Sequence, residues 1–349
     1  MSDSTVTVET PGPPPVGPDD SAPSESSLRK IFRGSVGRNL GLVLALIILI
    51  IVGIVTGGER FASIENTLTI LRLGSVIGVV SIGMTFVIIG GGIDLSVGAN
   101  VALASVWATT VATQTLGKDV HWIVMVGCAL IVATCVGLIN GLMIAYGKIA
   151  PFIATLAMLA AARGLAEIIA DRKTQIITVQ GFLDTFSGDV FGVPVLVIIF
   201  AVVAVIGWVL LNRTTFGRRT FAVGGNAEAA RLSGIRVQRH TLWLYALLGS
   251  TCGIAAVMIM PRTTTGSSTH GMLYELDAIA AVVIGGTLLT GGRGTIVGTV
   301  IGVLFFTMLN NIFTLNNLSI SAQAIAKGVI IVVAVLLQQR IADRSRAVT

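Results

Sequence analysis

Charge and aromatic rings are scarce in this chain. Only 11% of its 349 residues are Asp, Glu, Lys or Arg, and only 6% are Phe, Trp or Tyr. A soluble domain carries about 25% charged residues, so the deficit excludes a water-soluble globule. There are three cysteines, Cys128, Cys135 and Cys252, and all sit inside apolar runs, which excludes a disulfide framework or a zinc site with its usual ligand spacing. The three histidines, His121, His240 and His270, are far apart near the ends of apolar runs and read as solvated interfacial groups rather than a catalytic cluster. No G-x-x-x-x-G-K-[ST] loop is present, because Gly117-Lys118 is followed by Asp119 and Gly147-Lys148 by Ile149. HExxH and G-x-S-x-G are also missing. These absences point away from an enzyme and from any cofactor or metal held by this chain.

What is present is apolar length. Apolar residues make up 54% of the chain and mean hydropathy is +0.90, with 41 glycines. A helix needs about 20 apolar residues to cross a hydrocarbon core. On that measure about ten spans emerge, at roughly 39–57, 68–90, 96–116, 121–147, 150–170, 192–211, 240–260, 275–290, 295–316 and 320–339. The fourth is overlong and the eighth short. The expected fold is therefore an all-α polytopic membrane protein.

The pI of 9.7 does not signal nucleic acid, since basic residues cluster at the ends of apolar runs with no interleaved aromatics. With both termini in the cytosol, Arg29, Lys30, Arg33, Arg38, Lys148, Arg213, Arg218, Arg219, Arg231, Arg236, Arg239, Arg293, Arg340, Arg344 and Arg346 fall inside, and only Arg60, Lys118, Arg172, Lys173 and Arg262 outside. That asymmetry obeys the positive-inside rule. Residues 1–38, rich in Pro and Ser with a basic end, are expected to form a disordered cytosolic tail, 39–339 the membrane domain and 340–349 a cytosolic C-terminal tail.

Small residues and rare polar groups mark the interior. Glycine pairs at Gly74/Gly78, Gly137/Gly141 and Gly249/Gly253, and the triplet Gly294/Gly298/Gly302, put glycines on one helix face and suit close packing in lipid. VIIGGGIDLSVG (Val87–Gly98) and VVIGGTLLTGGRG (Val282–Gly294) echo one another, each an apolar helix running into a glycine break, as in duplicated transporters. Polar residues inside spans are costly and so are candidates for a solute path or gate: Asp94, Ser96, Asn100, Asn140 and Gln323. Asp94 reads equally as part of a membrane break and as an N-cap, and Asn140 as an interhelical tie. Arg163 and Glu167, four apart, read as a local ion pair, and Lys327 as a lone cation reaching water or a carbonyl.

The longest inside loop, 212–239, holds GGNAEAARLSGI (Gly224–Ile235): good helix formers between a plausible N-cap, Asn226, and a stop, Gly234. It predicts a short exposed helix, either an ordinary basic loop or a contact for a soluble partner. Outside, Arg172, Lys173 and Arg262 are candidates for docking another protein.

NTLTILRLGSVIGVVSIGMTFVIIGGGIDLSVGA, GGNAEAARLSGIRV, and YELDAIAAVVIGGTLLTGGRGTIVGTVIGVL followed by LNN resemble the permease subunits of bacterial ABC importers of ribose, xylose, arabinose and related sugars, over about Ile64 to Gln338. The resemblance implies a type II-like importer permease of the bacterial inner membrane that moves a monosaccharide, a pentose such as ribose or xylose first. It implies that Gly225, Asn226, Glu228, Ala229, Arg231 and Gly234 form the coupling helix docking on an ATPase. It also implies a second permease copy, two ATP-binding subunits holding ATP and Mg, and an extracytoplasmic sugar-binding protein. A polyol or furanone substrate within the same family, or an ion-coupled carrier using Asp94 or Glu167, are the competing readings.

Overall fold

The structure is a computed structural model that describes residues 35–319, 321–330, 332–333 and 336. The expected tails at 1–38 and 340–349 lie outside these residues, apart from 35–38, which begin the first helix. The helix bundle with its loops falls in one unit that begins at Asn39.

The chain is helical, with two-residue strands in its loops. α1 (Ser35–Gly57) and a single turn, α2 (Glu59–Ala62), lead into α3 (Ile64–Ile89). Then come α4 (Val97–Ala108), α5 (Val111–Asp119), α6 (Ile123–Ala145) and α7 (Pro151–Ile169). α8 (Gln180–Ser187) precedes α9 (Val195–Arg213), α10 (Thr215–Gly225), α11 (Ala227–Leu232), α12 (Val237–Thr263), α13 (Tyr274–Ile284) and α14 (Ile296–Leu315). A further helix covers 321–330. Six of these (α3, α6, α7, α9, α12 and α14) are long and apolar enough to cross a membrane.

Burial sorts the helices. α3 and α12 are buried along most of their length, whereas α7 and α9 leave broad apolar faces exposed, as outer helices do in lipid. α12 packs most extensively on α6. The reason is the glycine faces read from the sequence: a Cβ at Gly137 would lie 2.3 Å from Tyr245 O, and one at Gly249 would lie 3.0 Å from Gly137 Cα. Of the triplet, Gly298 and Gly302 lie on α14 and meet the end of α13 in the same way, Gly302 against Ala281 O and Gly298 against Gly285 O, whereas Gly294 falls ahead of the helix and faces Thr287.

Two expectations change. The span at 96–116 is broken: α4 ends at Ala108, and Thr110 caps α5 by accepting from Thr113 N. At 12 and 11 residues, α4 and α13 are about 18 Å long or less, short of a ~30 Å core. His240 and His270 are buried rather than solvated; His240 Nε2 meets Thr220 Oγ1 at 2.9 Å, and the His270 nitrogens meet Ser105 Oγ and Thr263 Oγ1.

Candidate functional site

Three glycine-rich stretches far apart in sequence converge at one end of the bundle. α3 stops at Gly90, the break 90–96 comes next, and the second break, 285–295, joins α13 to α14. Gly292 N donates to Ile89 O at 2.8 Å, linking the breaks. The end of α10 lies against both: a Cβ on Gly224 would stand 1.7 Å from Ile89 O and 2.8 Å from Gly292 N. Gly91, Gly291 and Gly292 have φ of 83°, 84° and 73°, where a side chain would be strained. Only bare backbone allows this approach, so the junction requires glycine on all three segments.

α11 projects from that junction. Asn226 Oδ1 accepts from Glu228 N and Ala229 N at 3.1 and 3.0 Å, the N-cap read from the sequence. The helix ends in a Schellman pair, Ile235 N to Ala230 O and Gly234 N to Arg231 O, with Gly234 at φ 84°. Ala230 is buried beneath, while Glu228, Ala229, Arg231 and Leu232 face outward, Leu232 at 77% exposure. Arg231 grips Glu228 bidentately at 2.6 and 3.1 Å. Its hydrogen bond and charge hold the Glu228 carboxyl below its ordinary range, and the Arg231 guanidinium is pushed up in return. An exposed leucine beside a preformed ion pair on a capped turn suits a groove on a soluble protein.

The polar residues of the first break are tied to one another and to α6, with Asn100 Oδ1 and Asn140 Oδ1 buried and left without a hydrogen-bond partner. Asp94 Oδ1 accepts from Ser96 N and Ser96 Oγ at 2.7 and 2.6 Å. Asn140 Nδ2 donates to Asp94 Oδ2 at 3.1 Å and to Ser96 Oγ at 2.9 Å, joining the break to α6. Asp94 thus turns the chain ahead of α4 instead of capping it; the cap position is Ser96, whose side chain caps nothing. Asn100 Nδ2 donates to Ala133 O at 3.1 Å, a second tie between α4 and α6. All four side chains are at most 3% exposed. Tyr245 on α12 donates to Ile93 O at 3.1 Å and holds the break from the other side. Gln323 lies apart, donating to Leu318 O.

The opposite end is tied by loops. β1 (Gln175–Ile176) pairs antiparallel with β4 (Thr265–Gly266), bringing Arg172 and Lys173 alongside the turn after Arg262. Gln114 clamps this pair, donating to Thr109 O and Ile176 O and accepting from Thr178 N. β2 (Asp189–Val190) and β3 (Val193–Pro194) close a hairpin. Arg72, on α3, bridges to Asp189 at 3.1 Å. Arg163 does not pair with Glu167: it donates to Ser268 O and His270 O, and Glu167 faces Arg172 at 3.6 Å. Burial, with Arg262 and Arg163 nearby, lowers His270 to about 4, so it is neutral at pH 7.

Comparison with known proteins says to which family a chain with this glycine junction and exposed capped helix belongs. Residues 66–337 match the family described as "Branched-chain amino acid transport system / permease component". The chain belongs to this permease family. It is 43% identical over 318 residues to the ribose import permease protein RbsC of Bacillus subtilis, covering 90% of this chain and 97% of that one. It is 38% identical to the ribose import permease protein RbsC of Escherichia coli K12, covering 85% and 92%. Identity to the galactose/methyl galactoside import permease protein MglC of the same strain is 35%, covering 85% and 93%. No solved structure matches. As a permease with six long apolar helices among the described residues, the chain is a multi-pass membrane protein.

The junction itself was not visible in the sequence beyond its doubled glycines. Ile89, Gly224 and Gly292 are far apart along the chain, and no local pattern shows that their backbones touch. Tyr245 and Gln114 were also missed, although a lone glutamine in an apolar stretch was a signal to question.

Proposed function

We propose that the chain is the permease subunit of an ATP-binding-cassette importer, forming with a second copy the path for a monosaccharide, a pentose such as ribose. The observation that carries this reading is the near full-length match to a ribose import permease, 43% identical over 97% of its length. Both termini lie in the cytosol, with about ten crossings in all. α11 docks on a separate ATPase subunit that holds ATP and Mg, and an extracytoplasmic binding protein meets the end bearing Arg172, Lys173 and Arg262.

Its exposure and its seat on the junction suit α11 to this task. Nucleotide-driven movement of α11 shifts Gly224, and through Ile89 and Gly292 shifts both breaks together. The short helices α4 and α13 then tilt as a pair, opening one end of the path and closing the other. Asp94, Ser96, Asn100 and Asn140 serve the gate by fastening the first break and α4 to α6, and Gln323, in the first turn of the helix at 321–330, ties that helix back to Leu318. A neutral sugar needs no buried counter-charge, in keeping with a path selective mainly through its binding protein.

The test is uptake by proteoliposomes holding permease, ATPase and binding protein. Labelled ribose should accumulate with ATP after ion gradients are collapsed, and should stop when either partner is omitted. Uptake that tracks a proton or sodium gradient without them contradicts the reading, and accumulation of galactose alone would move the substrate to hexoses.

A further inference from the structure

Lys327, the one basic residue of the helix at 321–330, is not a free cation reaching for water. Its Nζ lies 3.0 and 3.3 Å from the two carboxylate oxygens of Asp277 on α13, with the side chains 23% and 15% exposed. Ile330 of the same helix packs on an apolar cluster that includes Leu309 and Ile312. Charges amid apolar helices are costly and are retained where they perform a task. A neutral solute gives them none, and apolar residues would pack these helices at least as well.

The position of Asp277 supplies the task. α13 is short for a crossing, at 11 residues. At its start, the loop 264–273 is fastened to α4 through His270 and Ser105 and comes directly after Arg262 and Thr263. At its end, Gly285 opens the break whose Gly292 bonds Ile89 beside Gly224. α13 therefore connects the two ends of the molecule, and the Asp277–Lys327 pair fixes its angle against the last helix.

We propose that Asp277 and Lys327 are positioning residues, a latch that holds α13 in the resting state and makes ATP hydrolysis wait for the loaded binding protein. This inference rests on the importer reading. D277N/K327Q removes both charges and leaves neither unpaired. In the full assembly it should raise ATP hydrolysis without binding protein several-fold and lower sugar moved per ATP several-fold, at a thermal midpoint close to wild type. The swap D277K/K327D should return both quantities toward wild type. Wild-type basal hydrolysis and stoichiometry in the neutral pair would overturn the latch and leave only charge neutralisation. If the neutral pair does not assemble, D277C/K327C lacking Cys128, Cys135 and Cys252 decides: a short bifunctional thiol reagent should arrest uptake, and full uptake in the tethered protein would overturn the proposal. Were the wild-type assembly itself to move no sugar with ATP, the importer reading would fail instead.

Discussion

Gly224→Ala adds one methyl group at the point where three segments meet. Its Cβ would stand 1.7 Å from Ile89 O, whereas carbon and carbonyl oxygen sit about 3.3 Å apart in ordinary contacts. The segments must part by roughly 1.5 Å, and the 2.8 Å bond from Gly292 N to Ile89 O cannot stretch that far. Losing that bond costs about 1 kcal/mol and overpacking about 1–3 more, so the junction weakens by roughly 2–4 kcal/mol. A gate equilibrium biased by about 2 kcal/mol moves on the order of thirtyfold. Gly225→Ala is the control, since a Cβ there meets nothing within 4 Å. Thermal midpoints in detergent, with uptake and ATP hydrolysis in proteoliposomes, read the outcome. G224A should unfold earlier and move at least tenfold less sugar per ATP, with G225A unfolding as wild type. A G224A protein with normal stability and normal stoichiometry would refute the junction as a transmission.

Replacing Glu228 and Arg231 together by alanine removes a solvent-exposed pair, so the thermal midpoint should match wild type, while stimulation of the ATPase by the assembled permease is lost. Asn140→Ala deletes the donors to Asp94 and Ser96 and leaves a carboxylate under-satisfied; it should destabilise by about 3 kcal/mol in chemical denaturation. His270 has a folded pKa near 4, below its unfolded value near 6.5. Its neutral form is the one the fold accepts, so stability is unaffected above pH 6.5 and falls by on the order of 3 kcal/mol as pH drops to 4. H270Q should flatten that part of the pH profile of the midpoint.

What was legible in the sequence was local or periodic. Asn226 and Gly234 bound α11 as expected because caps act within a few residues. The glycine faces of α6 and α12 met because the four-residue spacing defines one side of a helix wherever its partner lies. What escaped needed distant neighbours. Lys327 found Asp277 fifty residues away, Arg163 turned from Glu167 to two carbonyls of a later loop, and His240 and His270 were buried by side chains from other helices. The break after Ala108 was hidden because Thr109 and Thr110 are too few to interrupt an apolar average, yet their hydroxyls bond the preceding turn and cap the next helix. Asp94 showed its residue type but not its partner, since the amide that satisfies it comes from α6.

The most direct measurement is a cross-link from α11 to the ATPase. Leu232→Cys, in a chain whose Cys128, Cys135 and Cys252 are replaced, places a thiol at the exposed large apolar position of that helix. In the assembled importer, it should couple to the ATP-binding subunit in a yield that changes with nucleotide. No adduct with that subunit, or labelling of the thiol by an impermeant reagent added from outside the cell, would contradict the account.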